Sequence, residues 1–155
     1  MTKQSTSIGW LAAALLASAA PASGSLGGPA ESVDADRVKL QGALMRMTRN
    51  DRFALHEIRA ASGTLVREYV SPTGVVFAVV WEGPALPDFR QVLGDHFEDY
   101  RHAVREARTG RRGRGAFRAS GRDFVVESSG HPRAFFGRAY LPSLLPQGLQ
   151  PEEIR

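Results

Sequence analysis

The stretch FALHEIRAASGTLVREYVSPTGVVFAVVW, residues 53–81, decides the fold class. It contains three runs rich in β-branched, leucine and aromatic residues, at 53–60, 65–70 and 75–81, and such runs are typical of β-strands. The two segments between these runs contain residues typical of turns. Ser62-Gly63 is typical of a tight hairpin turn, and Ser71-Pro72-Thr73-Gly74 places proline and glycine where a β-turn requires their φ angles. The stretch therefore predicts a three-stranded antiparallel meander.

The predicted turns also indicate which side chains share a face, because side chains alternate along a strand. Pairing residue 60 with 65, and residue 65 with 81, gives one mostly apolar face and one mixed face. The apolar face is the predicted core side and comprises His56, Ile58, Ala60, Leu65, Arg67, Tyr69, Phe77, Val79 and Trp81. The mixed face is expected to be partly wet and comprises Leu55, Glu57, Arg59, Val66, Glu68, Val70, Val76, Ala78 and Val80.

An amphipathic helix is predicted over residues 88–107. Asp88 followed by Gln91 indicates a capping box at its start. Apolar residues then recur every three or four positions, at Phe89, Val92, Leu93, Phe97, Tyr100, Val104 and Ala107, with His96 in the same stripe. Asp95, Asp99, His102 and Glu106 fall on the opposite side. We expect the stripe to cover the core face of the meander, with Phe89, Leu93, Phe97 and Tyr100 against Tyr69, Phe77, Val79 and Trp81.

The segments around these elements complete the predicted fold. Residues 40–48 fit a strand or a short helix, with the strand preferred. Residues 124–128 and 133–140 indicate a second hairpin joined by Ser129-Gly130. The predicted class is therefore α+β: an antiparallel β-meander plus a second hairpin, packed on one amphipathic helix, in a single domain over residues 37–142.

Composition limits the possible classes of protein. The chain has 155 residues, no cysteine, a formal net charge of +4, 43% hydrophobic residues and 23% charged residues. These proportions exclude an intrinsically disordered chain, and the lack of cysteine excludes disulfides, thiol catalysis and Cys-ligated zinc. The basic excess is modest, so nucleic acid is not an expected partner. Prolines near the carboxyl terminus predict an extended tail over residues 143–155.

The amino terminus has the pattern of an export signal. Lys3 is its one charge, residues 8–20 are small or apolar, and Ala17-Ser18-Ala19 offers the small residues that signal peptidase requires. The apolar run is too short for a transmembrane helix. We predict a signal peptide over residues 1–19, with 22 as an alternative end, and no transmembrane segment after cleavage. Residues 20–36 predict a flexible leader, and the mature protein is expected in the periplasm or secreted.

Two groups of residues are candidate binding sites. His56, Arg67, Tyr69 and His96 could meet between the sheet and the helix, and two imidazoles beside a guanidinium suit a small anion. Arg108, Arg111, Arg112, Arg114 and Arg118 form a glycine-spaced loop that could bind phosphates of an anionic polymer. A solvated loop is the preferred interpretation of these arginines. A divalent metal could use the two carboxylates and the imidazole of Asp95, Asp99 and His102, but this spacing is only a weak indication of metal binding. We predict no metal site.

The chain contains no recognised catalytic motif. Neither a Gly-x-Ser-x-Gly elbow, a phosphate-binding glycine loop nor a His-Glu-x-x-His pair occurs. We therefore predict no cofactor and no enzyme activity. The predicted function is an exported, non-catalytic binding or interaction module of unknown ligand, with an envelope protein or an anionic envelope polymer as partner. The alternatives are an envelope hydrolase that uses the His56/His96 region and a binder of anionic polymers through residues 108–118.

Segments in order along the chain carry a family resemblance. They are Leu26-Gly27-Gly28, His56-Glu57-Ile58-Arg59, Ser62-Gly63-Thr64, Arg67-Glu68-Tyr69-Val70-Ser71-Pro72, Gly74, Val76-Phe77-Ala78-Val79, Trp81-Glu82-Gly83-Pro84, Leu86-Pro87-Asp88, Phe124-Val125-Val126-Glu127 and Arg138-Ala139-Tyr140-Leu141-Pro142. They resemble a proteobacterial family of small exported proteins catalogued as domain of unknown function 2844. The resemblance covers nearly the whole predicted mature chain. It implies an exported protein of unknown role and no particular site residue.

Overall fold

The computed structural model describes residues 26–108 and 116–155, and side chains up to residue 106 and from residue 116. In this part of the chain seven strands form one antiparallel sheet, in the order β1-β2-β3-β4-β7-β6-β5. The strands are β1 (Ala43–Arg49), β2 (Ala54–Arg59), β3 (Leu65–Val70), β4 (Val76–Gly83), β5 (Phe117–Ser120), β6 (Val125–His131) and β7 (Ala134–Tyr140). The helices are α1 (Ser32–Lys39), α2 (Phe89–Leu93) and α3 (Phe97–Arg108). The α+β class, the meander β2-β3-β4, the preferred strand at 40–48 and the second hairpin are confirmed.

The sheet has an apolar cluster on each of its two faces. The helix face carries α1, α2 and α3 and is built around Ile58, Val66, Val79, Trp81, Val92, Leu93, Phe124 and Val126. The tail face carries the C-terminal segment and is built around Tyr69, Phe77, Ala78, Val80, Val125, Tyr140, Leu149 and Ile154. The protein therefore has three layers, with helices on one side of the sheet and the C-terminal segment on the other.

The first turn of the meander is one residue shorter than predicted. Ala60 N–H donates to Thr64 O at 2.9 Å, so residue 59 pairs with residue 65 and the predicted pairing of residue 60 with 65 is wrong. A one-residue shift of register reverses every side chain of a strand. Arg67 and Tyr69 therefore lie on the tail face, whereas Glu68 lies on the helix face with Ile58.

A bulge in β4 produces a second difference. Tyr69 pairs with Ala78 but Val70 pairs with Val76, which leaves Phe77 as the extra residue on β4. Phe77 therefore lies with Tyr69 on the tail face, and the prediction that it packs under the helix is wrong. The predicted contact of Trp81 with Phe89 is confirmed, with ring centroids 5.2 Å apart.

The predicted helix over residues 88–107 is divided into two. Gly94, with a φ of 51°, follows α2, and a single 3₁₀ turn over Gly94–His96 leads into α3. Asp88 accepts a hydrogen bond from Arg90 N–H at 2.9 Å, so the predicted cap is confirmed. The Gln91 side chain bonds Asp36 of α1 rather than closing the capping box. Phe97 is half-buried, packed against the helix-face cluster.

The flexible leader predicted over residues 20–36 is wrong from residue 26 onward. Leu26 is buried, and Gly27 N–H donates to Val76 O at 2.8 Å, so the chain pairs with the start of β4 before entering α1. Val33 of α1 is also buried in the helix-face cluster. These backbone hydrogen bonds connect distant segments, so a composition argument cannot reveal them.

The chain after residue 130 also differs from the prediction. The second hairpin turns at Pro132-Arg133, with Arg133 at a φ of 74°, because His131 pairs with Ala134. The predicted turn at Ser129-Gly130 is therefore wrong. The predicted extended tail instead contains two single 3₁₀ turns, Pro142–Leu144 and Pro151–Glu153, and packs on the tail face. Within the described residues, no helix is long and apolar enough to span a membrane.

Candidate functional site

The predicted cluster of His56, Arg67, Tyr69 and His96 is not assembled. His56 lies opposite Glu68 on the helix face, whereas Arg67 and Tyr69 lie on the tail face. His96 lies near Phe124, with the two rings tilted and their centroids 6.1 Å apart. Phe124 lies just before β6. In the strand order β6 is four strands away from β2, which carries His56, and this corresponds to about 19 Å at the usual spacing between strands. The two imidazoles are therefore not brought together, and the predicted anion pocket between them is wrong.

His56, Tyr69 and His96 each have their own surroundings in the fold. Burial lowers the pKa of His56, and the carboxylate of Asp34 raises it by a smaller amount. The Tyr69 hydroxyl donates to Arg155 O at 2.7 Å, and burial raises the pKa of this hydroxyl. His96 lies under Gly27, where an added Cβ would approach its Nε2 to 3.4 Å. The contacts of Tyr69 and His96 join segments that are distant in the sequence.

The predicted arginine loop falls mostly outside the described residues. Arg111, Arg112, Arg114 and the side chain of Arg108 belong to the parts that are not described. Arg118 is described, and its Nη1 lies 2.5 Å from the Glu127 carboxylate. The positive charge of Arg118 is thus compensated within the sheet.

A row of charged side chains crosses the tail face. In register across neighbouring strands it contains Glu57, Arg67, Val80, Arg138, Glu127 and Arg118, with Val80 of β4 as the one apolar member. Arg67 Nε donates to Glu57 at 3.0 Å, and its Nη1 reaches Glu82 at 3.4 Å. Arg138 Nη2 lies 2.6 Å from Glu127. These three arginines are therefore held in fixed positions by glutamates of adjacent strands.

The row also fixes the C-terminal segment. Arg138 Nη1 donates to the carbonyl oxygens of Pro151 and Ile154. Arg52, in the turn before β2, reaches Glu153 at 3.2 Å. The segment is thus attached through its backbone to the centre of the sheet and through a side chain to its margin.

A groove of about 970 Å³ lies on the tail face beside the C-terminal segment. Its lining includes Val80 and Phe136 of the sheet, Ile154 and Arg155 of the C-terminal segment, and Arg133 of the hairpin turn. Phe136 is 57% exposed, which is unusual for a phenylalanine in a central strand. The groove is therefore an apolar surface that the C-terminal segment leaves uncovered.

The side chains that line the groove carry a surplus of positive charge. Five arginines and two glutamates line it. Three of these arginines belong to the ion pairs of the charged row, but the side chains of Arg133 and Arg155 form no ion pair among the described residues. Two guanidinium groups beside the apolar surface are thus available to an anionic group.

Sequence reasoning missed the groove because it depends on register. Glu127 and Arg138 are visible in the sequence as charges within apolar strands, and such charges usually indicate an exposed position. Their pairing depends on the hairpin turn at Pro132-Arg133, whereas the sequence predicted a turn at Ser129-Gly130. Among the described residues, no group of three or more acidic, histidine or cysteine side chains could hold a metal ion.

The comparisons with known proteins identify a family and no activity. The family model described as "Protein of unknown function (DUF2844)" matches residues 22–154. No match was found among the curated proteins or the solved structures. The matched range contains all the strands and helices described above.

Proposed function

Because the chain belongs to the family described as "Protein of unknown function (DUF2844)", which names no activity, we propose a function from the groove itself. The protein is a non-catalytic binding module that holds an amphipathic anion on the tail face. The observation that carries this proposal is an apolar groove beside two guanidinium groups that form no ion pair among the described residues. An apolar acid, such as a long-chain carboxylate, has the complementary chemistry.

The apolar part of such a ligand would lie on the exposed ring of Phe136, with the nearly buried Val80 and Ile154 in the lining around it. Phe136 loses solvent-exposed surface when an apolar chain covers it, and each buried methylene contributes about 0.8 kcal/mol. A groove of several hundred Å³ has the size of ordinary small-molecule sites. The groove is therefore large enough for an acyl chain of moderate length.

The anionic end of the ligand would contact Arg133 and Arg155. The remaining arginines of the groove already bind glutamates, so a ligand carboxylate would have to break an existing ion pair to reach them. A free guanidinium offers charge-assisted hydrogen bonds without that cost. The proposal therefore assigns selectivity for anions to these two side chains.

The lining of the groove favours binding over catalysis. Its serines, Ser128 and Ser129, have no histidine beside them among the described lining residues. A serine nucleophile needs an adjacent general base. His56 and His96, which would have served the alternative hydrolase, lie on the helix side of the sheet away from the groove.

The groove can be tested with a fluorescent fatty-acid analogue, 11-(dansylamino)undecanoate, bound to the folded chain. We expect dodecanoate to displace this probe, dodecanol to displace it less well, and dodecylamine not to displace it. Arg133→Ala should lower the affinity for dodecanoate about tenfold, which is the loss expected for one hydrogen bond to a charged group, and should leave the affinity for dodecanol unchanged. Phe136→Ala should lower the affinity for both ligands, because it removes apolar contact surface.

The matched control is Arg122→Ala, an exposed arginine outside the groove. It should leave the affinity for dodecanoate unchanged. Equal displacement by dodecanoate and dodecylamine would contradict the role of Arg133. Probe fluorescence that does not respond to the protein would contradict the groove proposal as a whole.

We also propose that the protein is exported to the periplasm or secreted. Its support is the pattern of Lys3, the apolar run 8–20 and Ala17-Ser18-Ala19. When the full chain is expressed in a Gram-negative host, the periplasmic fraction should contain a product beginning near Ala20, as determined by amino-terminal sequencing. Leu15→Arg should retain the full-length chain in the cytosol because it interrupts the apolar run. Full-length wild-type chain in the cytosol would show that residues 1–19 are not a signal.

A further inference from the structure

The outer edge of β1 is a second surface with the character of a binding site. β1 lies at the end of the strand order and pairs only with β2 among the described strands. All seven of its residues are exposed, including Leu44 at 45%, Met45 at 58% and Met47 at 63%. The strand thus exposes four apolar side chains, and its outer edge pairs with no other described strand.

An exposed edge of this kind is normally blocked in monomeric proteins. Charges, prolines, bulges or covering loops prevent edge strands from pairing with other chains. β1 has a bulge between Leu44 and Arg46, but Arg46 to Arg49 pair regularly with β2. The regular half of β1 is therefore guarded only by the charges of Arg46 and Arg49 among the described residues, and a strand of complementary charge can pair with it.

The charges of β1 select the partner. β1 contains Arg46 and Arg49 and no acidic residue. Neither side chain forms an ion pair among the described residues, although Arg46 lies opposite Glu57, which binds Arg67. The register places Arg46 on the tail face and Arg49 on the helix face. A paired strand would therefore need an acidic side chain toward each face.

A second copy of this chain does not fit that requirement. If two β1 strands paired, the ribbon would contain four guanidinium groups and no carboxylate, whatever the register. Like charges across a strand pair are destabilising. Methionine side chains, by contrast, adapt to varied apolar partners and are frequent at surfaces that bind peptides.

We propose that β1 binds an extended acidic segment of a partner protein, which adds to the sheet as an eighth strand. The backbone of the segment pairs with the outer edge of Arg46 to Arg49, its carboxylates meet the two guanidinium groups, and an apolar side chain covers Met47. This mode of recognition uses main-chain hydrogen bonds for affinity and side chains for specificity. The surface is separate from the groove, so either proposal can fail without the other.

The probe is a capped peptide with the sequence serine-glutamate-threonine-valine-glutamate-valine-serine. In antiparallel pairing its glutamates oppose Arg49 and Arg46 and its first valine opposes Met47. Titrated into the isotope-labelled chain, it should shift the amide resonances of residues 43–49 in NMR spectra. The same peptide with lysine in place of both glutamates should bind at least about tenfold more weakly, since two ion pairs become repulsions.

Two further measurements distinguish strand addition from simple charge attraction. N-methylation of the peptide amides that face β1 should abolish binding, whereas N-methylation of the alternate set should be tolerated. The double substitution Arg46→Glu/Arg49→Glu should also abolish binding, and the exposed Arg122→Glu should leave it unchanged. Both β1 residues are exposed, so the chain should remain folded, which the amide spectrum itself reports.

Three results would overturn the proposal. The first is equal affinity for the glutamate and lysine peptides. The second is an affinity that neither set of N-methyl groups changes, which would show that the backbone is not paired. The third is a dimer in analytical ultracentrifugation that Arg46→Glu/Arg49→Glu alters, which would assign the edge of β1 to a second copy of the chain.

Discussion

Replacing Phe77 by alanine is expected to lower the free energy of unfolding by about 3–5 kcal/mol, a large fraction of the roughly 5–15 kcal/mol that holds a typical domain together. Phe77 has no solvent-exposed surface, and its ring centroid lies 6.0 Å from that of Tyr69 and 6.4 Å from that of Phe53. Alanine would leave a cavity between the sheet and the C-terminal segment. Urea unfolding followed by tryptophan fluorescence measures the loss.

The matched control is Phe136→Ala, on the same face of the sheet. Because Phe136 is 57% exposed, its replacement should change the free energy of unfolding by about 0.5 kcal/mol or less. Equal losses for the two phenylalanines would contradict the described burial of Phe77. The same Phe136 variant serves the ligand experiment, where a folded protein with weakened binding is the expected result.

A double-mutant cycle shows on which face Phe77 lies. If Phe77 lies on the tail face, its replacement should couple to Phe53→Ala by more than about 0.5 kcal/mol, because these rings are in contact. It should add independently to Phe89→Ala, since Phe89 packs on Trp81 across the sheet. Coupling to Phe89 instead would show that Phe77 packs under the helices, as the sequence predicted.

Features that depend on neighbours along the chain could be predicted from the sequence. The meander strands follow from their β-branched runs, and the cap at Asp88 follows from its position before an apolar period. Gly74, with a φ of 80°, lies in the turn that Pro72 begins. In each case the deciding interactions lie within a few residues, so local propensity and tertiary structure agree.

The face of a strand could not be predicted, because it depends on the length of a single turn. The sequence predicted that Ala60 pairs with Leu65, but in the structure Ala60 pairs with Thr64. This difference of one residue exchanges the faces on which Arg67 and Glu68 lie. The expected cluster with His56 depended on that one position. Alternation gives the relative orientation within a strand reliably, but the absolute orientation requires the register of the hairpin.

The groove could not be predicted either, because its parts meet over long distances in the chain. Arg138 binds the backbone at Pro151 and Ile154, and Tyr69 binds the backbone at Arg155. The final residues have the composition of a solvated tail, with prolines and acidic residues. Their sequence signals of docking are the pair Leu144-Leu145 and two isolated apolar residues, Leu149 and Ile154, which show no periodic pattern that would indicate a face.

The C-terminal segment gives the second large prediction. Ile154→Ala is expected to lower the free energy of unfolding by about 2–5 kcal/mol, although the residue is next to the last in the sequence. Ile154 is 1% exposed and belongs to the same apolar cluster as Val80 and Tyr140. Removing its side-chain methyl groups would open the cluster and weaken the support for the hydrogen bonds from Arg138. Urea unfolding measures the effect.

Glu152→Ala is the control, because Glu152 is exposed in the 3₁₀ turn Pro151–Glu153 that precedes Ile154, and its loss should cost about 0.5 kcal/mol or less. Equal small effects would show that the segment is not docked in solution, and the groove would then lose one of its sides. If Ile154→Ala is destabilising as expected, its affinity for dodecanoate measured well below the unfolding transition should also fall, since Ile154 lines the groove. Loss of stability with unchanged affinity would place the apolar part of the ligand elsewhere, against Val80 and Phe136 alone.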